Sequence, residues 1–288
     1  MLQKIFHYDP SLKTIYKLSS SQISHTFFIP QKYATLLYVD LRDPAIKSHI
    51  KNDLKNYTVI TIVDEGYPSV LKTINDPPLV LYAYGDVSLV TRSPALSVIG
   101  TRNPSHEAKA KLIHIMAPLI QEGWVVVSGM AKGVDSYAHQ LSLKQKGKTI
   151  AVLGGGFHHI YPKQNMELFK QIVQEGLVLS EYPPDTQPKK FHFPERNRII
   201  SGLSFGTLVI EATEKSGTLI TVDQALDQGR EVYAVPGSPL LPQTSGCNRM
   251  IQDGAKLVQV AKDIKEDWDR GLTTWGFIPT KRKENISD

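Results

Sequence analysis

From residue 95 onward the sequence alternates short apolar runs with segments of helical periodicity, and this alternation restricts the possible folds most strongly. The runs, such as residues 124–127 and 177–180, are too short for helices and lack polar alternation. Runs of this kind are typical of strands that helices cover on both faces. Strands that alternate with helices are joined by right-handed crossovers. The sequence therefore predicts an α/β fold with a mainly parallel sheet.

The composition excludes several classes of protein. The single cysteine, Cys247, rules out an intramolecular disulfide and a cysteine-based zinc site, and we predict neither a metal nor a cofactor. No apolar run reaches the roughly 20 residues that span a bilayer. The N-terminus lacks the apolar core of a secretory signal. We therefore expect a cytoplasmic protein without a membrane partner, and the net charge of +5 favours an anionic one.

The first 55 residues have a different pattern, with short apolar groups and three prolines at expected helix starts, Pro10, Pro30 and Pro44. We predict a small helical domain over residues 1–55. The α/β domain is expected over residues 56–270, and a polar tail over residues 271–288.

A strand, a glycine loop and a helix follow one another in residues 124–139. The loop contains Gly129, Lys132 and Gly133, and it matches neither a dinucleotide fingerprint nor a Walker A sequence. Backbone N–H groups at such a helix start bind anions, because the donors and the helix dipole point the same way. Equally, the two glycines serve only to permit a tight turn.

Two further strands are followed by residues suited to anions. Gly100, Thr101 and Arg102 follow the strand at residues 95–99, and a segment 216–218, Ser216, Gly217 and Thr218, opens a helix after the strand at residues 206–210. Ligands of a parallel sheet bind beyond the carboxyl ends of its strands, so we expect these loops to meet around a phosphate-rich ligand. The alternative for Arg102 is a surface ion pair.

Residues 188–200 interleave basic and aromatic side chains. The segment contains Lys189, Lys190, Phe191, His192, Phe193, Arg196, Asn197 and Arg198. Basic groups follow a sugar-phosphate backbone, while aromatic rings stack on unpaired bases, so the pattern favours single strands over duplex DNA. Alternatively, the rings fill the core and the charges are solvated. We expect at least one of the two phenylalanines to be a core residue.

The acidic residues form no evident catalytic arrangement. Glu211 and Glu214 are either general acids or bases, or they pair with Arg102 or Lys215. Asp135 and His139 lie one helical turn apart, and we expect them to pair with each other or to cap the helix. The sequence has no Ser/His/Asp order and no metal-spaced histidine cluster.

Eight stretches occur in the order typical of one family and cover most of residues 95–258. They are GTRNPS (100–105), SGMAKGVDSYAH (128–139), AVLGGGFHHIYPKQN (151–165), SEYPP (180–184), FPERNRIISGLS (193–204), VIEATEKSGTLITVDQAL (209–226), GREVYAVPGS (229–238) and GCNRMIQDGA (246–255). In these stretches the sequence resembles the DprA/Smf family, the DNA-processing proteins of bacterial transformation.

The resemblance implies an extended Rossmann-like, doubly wound domain that binds single-stranded DNA, self-associates as a homodimer or larger assembly, and is not an enzyme. It also implies loading of RecA recombinase and protection of DNA from single-strand-binding protein. The DNA contacts implied are Gly100, Thr101, Arg102, Gly129, Lys132, Gly133, Lys189, Lys190, Phe193, Arg196, Asn197, Arg198, Ser216, Gly217 and Thr218. Residues 1–55 match the family's N-terminal domain poorly, and the chain ends too soon for a C-terminal winged helix.

Two other functions remain open from the sequence. One is an enzyme similar to lysine-decarboxylase-like nucleotide phosphoribohydrolases, whose PGGxGTxxE pattern carries a working glutamate. Here Thr221 stands where that glutamate would fall. The other is a scaffold protein without a nucleic-acid ligand.

Overall fold

The computed structural model describes residues 2–274, which form a mixed α/β fold, and residues 275–288 of the predicted tail lie outside this range. The helices are α1 (Leu2–Tyr8), α2 (Ser20–Phe27), α3 (Gln31–Asp40), α4 (Pro44–Asn56), α5 (Ser69–Lys72), α6 (Ala108–Gln121), α7 (Val134–Lys144), α8 (Met166–Glu175), α9 (His192–Gly202), α10 (Thr218–Asp227), α11 (Pro242–Gln252) and α12 (Ala261–Thr274). The strands are β1 (Thr58–Thr61), β2 (Val80–Gly85), β3 (Ala95–Ile99), β4 (Val125–Ser128), β5 (Lys148–Leu153), β6 (Leu177–Ser180), β7 (Gly206–Val209), β8 (Glu231–Ala234) and β9 (Lys256–Leu257).

All nine of these strands lie in one sheet, in the order β1-β2-β6-β5-β4-β3-β7-β8-β9. Pairing is antiparallel between β1 and β2 and between β2 and β6, and parallel between all other neighbours. The predicted mainly parallel, Rossmann-like sheet is therefore confirmed. The chain winds outward from β3 in one direction and continues from β7 in the other. This reversal of strand order places a crevice between the ends of β3 and β7.

Helices cover both faces of the sheet, which explains the continuous apolar strands. One face packs against α5, α9, α10 and α11, with Ile199, Val222 and Cys247 among the buried contacts. The other face packs against α6, α7 and α12, and α8 covers its β5–β6 side. No helix between residues 2 and 274 is both long and apolar enough to cross a membrane.

The N-terminal helices α1 to α3 enclose a small apolar cluster of their own, centred on Ile5, Ile23 and Phe27. Pro30 and Pro44 do stand at the starts of α3 and α4, but Pro10 follows α1 and begins no helix. Helix α4 buries none of its side chains. The C-terminal helix α12 runs to Thr274, so its last residues belong to a helix where the sequence predicted the start of a polar tail.

Of the two alternatives for Asp135 and His139, pairing or capping, the mutual pair is wrong. His139 is fully buried in α7, and its Nδ1 lies 2.7 Å from the hydroxyl of Thr149. That hydroxyl donates its proton to the carbonyl of Val126, so it accepts from a protonated Nδ1. The Nε2 atom has no partner among the described residues. Burial therefore holds His139 neutral and lowers its pKa from 6.5 to about 3.

The buried histidine makes the protein sensitive to acid. Between pH 6.5 and 3 the unfolded chain binds a proton at His139 and the folded chain does not. The free energy of unfolding therefore decreases as the pH is lowered, by up to about 1.4 kcal/mol per pH unit. We expect His139→Leu to flatten this dependence by about one proton, measured by urea unfolding from pH 7 to pH 4. His106→Leu, at an exposed histidine, is the control for the removal of a histidine. Equal slopes in His139→Leu and the wild type would contradict the burial of a neutral imidazole.

Candidate nucleic-acid interface

A cleft of about 1450 Å³ lies where β3, β4 and β7 end and where α9 and α10 begin. It therefore occupies the crevice at the reversal of strand order. Its lining residues are Ile99, Gly100, Thr101, Arg102, Asn103, Ala131, Asp135, Tyr161, Lys190, Phe193, Pro194, Arg196, Asn197, Ile200, Ser216, Gly217, Thr218, Ile220 and Thr221. Ten of the predicted DNA contacts are among them, and Gly129, Lys132, Gly133, Lys189 and Arg198 are not.

The loop after β3 brings Arg102 to the rim of the cleft. Gly100 has a packing role, because a Cβ atom there would lie 2.7 Å from a Val134 methyl group and 2.8 Å from the Glu211 carbonyl oxygen. Thr101 donates its N–H to the same carbonyl, which ties this loop to the end of β7. The Arg102 side chain is exposed and forms no ion pair within residues 2–274. Its guanidinium is therefore available to an anion.

In the loop after β4, a side chain of the following helix, α7, occupies backbone N–H donors. The Asp135 carboxylate accepts the N–H groups of Gly129, at 3.2 Å, and Ala131, at 3.4 Å. Gly133 adopts a φ of +86°, and a Cβ there would collide with the Thr101 carbonyl oxygen. The tight-turn interpretation is therefore the better one, since two donors of the predicted anion-binding loop are already occupied.

Arg196 is a structural residue of the cleft floor. Its side chain is buried, and Nη1 donates to the carbonyl oxygens of Gly129, at 2.6 Å, and Val152. A Cβ on Gly129 would lie only 2.5 Å from this Nη1 atom, which explains the glycine. Burial lowers the pKa of Arg196 to about 10, opposed by the charge of Asp135. The guanidinium thus binds backbone carbonyls at the ends of two strands, β4 and β5.

Arg198 does not reach the cleft. It forms a bidentate ion pair with Glu181, at 2.8 and 3.0 Å, and its Nε donates to Asp76 at 3.1 Å. These carboxylates raise the pKa of Arg198 against the opposing effect of burial. Arg198 therefore lies apart from the other predicted contacts. Its ion pairs connect α9 to the loops that contain Asp76 and Glu181.

An aromatic pair forms one wall of the cleft. The half-buried ring of Phe193 lies against Gly154, and its centroid is 5.5 Å from that of exposed Tyr161. Phe191 is exposed and lies outside the lining, with the Lys189 ammonium 5.9 Å from its ring centroid. Neither phenylalanine is a core residue, so the expectation of a buried one is wrong. Sequence reasoning missed Tyr161, although an aromatic residue after three glycines was a usable signal.

The third element of the cleft is the start of α10. The Ser216 hydroxyl accepts the N–H of Thr218 at 3.1 Å and donates to the Thr218 hydroxyl at 2.8 Å. Gly217 faces open space, because a Cβ atom added there would have no neighbouring atom within 4 Å. Ser216 donates its own N–H to the Thr213 carbonyl at 3.1 Å, so among the described contacts of residues 216–218 the Gly217 N–H is the one left for an anion at the helix start. Lys190, exposed at the opposite rim, forms no ion pair within residues 2–274.

Positive charge dominates the cleft, since Asp135 is the one carboxylate among its lining residues. Burial raises the pKa of Asp135, although Arg196 and the two N–H groups oppose the shift. Glu211, the acid-base candidate, is fully buried away from the cleft. It accepts hydrogen bonds from Ser105 and from Lys111, at 3.0 Å, so for Glu211 the alternative of a pair with Arg102 or Lys215 is wrong. Within residues 2–274, no three side chains of His, Cys, Asp or Glu lie together in a way that could hold a metal ion.

Comparison with the sequences of known proteins identifies relatives that belong to one family. Residues 58–269 match the family described as DNA recombination-mediator protein A. The DNA processing protein DprA of Bacillus subtilis is 49% identical over 208 residues, which cover 72% of this chain and 70% of the relative. DprA of Streptococcus pneumoniae is 42% identical over 222 residues, covering 77% of this chain and 78% of the relative.

Solved structures agree with these relatives. The X-ray structure of DprA from Streptococcus pneumoniae superposes with a TM-score of 0.83 at 37% identity, covering 92% of each chain. DNA processing protein A from Helicobacter pylori, described for its single-stranded DNA binding mode, has a TM-score of 0.67 at 29% identity, covering 75% of this chain and 96% of its own. The chain therefore belongs to the DprA/Smf family of DNA recombination-mediator proteins.

Proposed function

We propose that this protein binds single-stranded DNA in the cleft and loads RecA recombinase onto it during natural transformation. The observation that carries the proposal is the arrangement of the cleft rim. Arg102 and Lys190, two exposed cations without an ion pair in the described chain, lie on the same cleft as the Phe193–Tyr161 wall. Cations beside an aromatic platform suit a phosphate backbone whose bases are unpaired.

Each part of the cleft has a proposed role. Arg102 and Lys190 contact phosphates, and the turn at residues 216–218 holds another phosphate through the Gly217 N–H and the Thr218 hydroxyl, which its own hydrogen bonds leave available. Bases stack on Phe193 and Tyr161. Gly100, Thr101 and Arg196 hold the cleft in shape, and Asn197 lies beside them in its lining. Lys132 and Lys189, which are exposed outside the lining, extend the basic path.

The relatives support the same assignment. The Helicobacter pylori structure is described for its single-stranded DNA binding mode, and the matching family is described as recombination mediators. Mediation requires a recombinase partner, so we propose RecA as that partner and single-strand-binding protein as the competitor for DNA. We also propose self-association as a homodimer or larger assembly, which would place several clefts along one strand.

Binding to single-stranded and duplex DNA of equal length tests the cleft directly. We expect the wild type to prefer single strands, because stacking on Phe193 requires unpaired bases. Arg102→Ala and Lys190→Ala should each weaken binding and make the slope of log K against log salt shallower by about 0.7 per lost phosphate contact.

Arg249→Ala is the matched control for these variants, because Arg249 is an exposed arginine on α11 outside the cleft. It should bind DNA as the wild type does. Equal weak binding to both DNA forms, unaffected by Arg102→Ala and Lys190→Ala, would show that net charge alone attracts DNA, and the proposed cleft would be wrong.

Phe193→Ala tests the stacking wall. Loss of a stacking ring should weaken single-strand binding by about 1–3 kcal/mol in fluorescence anisotropy. Phe191→Ala is the control, since it removes an exposed ring of the same type two residues away and outside the cleft. A loss of stability without a change in the affinity of the folded protein would instead give Phe193 a packing role.

Recombinase loading needs its own assay. We expect the wild type to speed assembly of RecA filaments on single strands that are covered by single-strand-binding protein, and Arg102→Ala to lose this effect. Filament assembly is followed by the ATPase activity of RecA. Normal DNA binding without any effect on RecA would retain the cleft and reject the mediator role.

A further inference from the structure

A second cavity lies at the amino ends of the parallel strands, where β3 begins and the chain enters β7. The space between α5, the segment before β3, and α12 measures about 710 Å³, including a part that is open to solvent. Its lining residues are Pro68, Ser69, Val70, Val90, Thr91, Arg92, Ser93, Ala95, Leu203, Ser204, Phe205, Arg230, Trp268 and Gly271. The DNA-binding proposal uses none of them.

The cavity contains a buried cation without a counterion. Arg230 is 6% exposed, and its Nη2 donates to the carbonyl oxygens of Val70, at 2.9 Å, and Gly202, at 3.3 Å. Its Nε has no hydrogen-bond partner among the described residues. Burial lowers the pKa of Arg230, and no charged neighbour offsets this effect. An unpaired buried charge is costly, and proteins normally compensate it with an opposite charge.

The rest of the lining defines what could compensate Arg230. Arg92 adds a second cation, and no aspartate or glutamate lines the cavity. The walls are largely apolar, with Val90, Leu203, Phe205 and Trp268 among them. Small-molecule sites typically combine such walls with a few polar groups that fix the ligand.

We propose that this cavity binds a small organic acid, with a carboxylate on an aromatic or aliphatic body. The carboxylate lies beside Arg230 and Arg92, where it accepts hydrogen bonds from the Arg230 guanidinium and neutralises the buried charge. The apolar body lies along Phe205 and Trp268. A free phosphate fits less well, because it would leave the apolar walls against water. The site is independent of the DNA cleft, which lies at the other end of β3.

Titration calorimetry of the 288-residue chain with indole-3-acetate tests the proposal. The neutral isostere indole-3-acetamide has nearly the same shape and lacks the charge. We expect one-to-one binding of the acid and at least about tenfold weaker binding of the amide, since a charge-assisted hydrogen bond is lost. The acid should also raise the melting temperature, because it binds the folded state.

Two variants locate the site. Arg230→Gln should weaken the acid by about tenfold or more and reduce the preference over the amide. Ser69→Trp fills the cavity mouth from an exposed position and leaves Arg230 intact, so it should abolish binding even if Arg230→Gln fails to fold. Arg249→Gln, at an exposed arginine remote from the cavity, is the control and should bind the acid normally. Ser69→Trp should retain the affinity for single-stranded DNA.

Three results would overturn the proposal. Equal affinity for acid and amide would show that Arg230 does not recognise a charge. Absence of binding up to the solubility limit of the acid would show that the cavity holds only water. Binding of the acid by Ser69→Trp with the affinity of the wild type would show that the acid binds outside the cavity.

Discussion

The buried guanidinium of Arg196 is the interaction on which the cleft depends. It joins α9 to the carbonyls of Gly129 and Val152, at the ends of two adjacent parallel strands. Asp135 lies beside it and holds the N–H groups of the same loop, so the backbone is fixed from both its donor and its acceptor side. A buried charge tolerates no change of geometry, because each lost partner leaves an uncompensated group. The floor of the cleft is therefore held by hydrogen bonds within the chain itself.

This arrangement divides the basic residues into two classes. Arg196 and Arg198 bind partners within the chain. Arg196 donates to backbone carbonyls, and Arg198 pairs with Glu181 and Asp76. Arg102 and Lys190 remain exposed at the rim, where a ligand can reach them. The same residue type thus performs two tasks, and partners within the fold distinguish them. A count of basic residues in the sequence overstates the number available to DNA.

The two ends of the sheet carry contrasting cavities. At the carboxyl ends of the strands, the chain reversal opens a wide polar cleft suited to a polymer that passes through it. At the amino ends, α5 and α12 enclose a smaller apolar cavity around Arg230. Each cavity has positive charge in excess. The cleft has exposed cations at its rim besides the buried Arg196, whereas the second cavity surrounds the buried Arg230, which has no counterion among the described residues. This difference favours a solvated polyanion in the cleft and a small amphipathic anion in the cavity.

The sequence by itself determined the order and type of the elements from β3 to β9, because the apolar periodicity of each segment is a local property. It also located the loops of the cleft, since ligands follow the carboxyl ends of parallel strands. The spacing of Arg196 and Arg198, two residues apart on α9, also indicates different helix faces, although both were predicted to contact DNA. Only the tertiary structure decided which face met the cleft. It also decided that β2 enters antiparallel beside β6 and that Tyr161 joins Phe193. These outcomes depend on contacts between segments far apart in the chain, which no local pattern encodes.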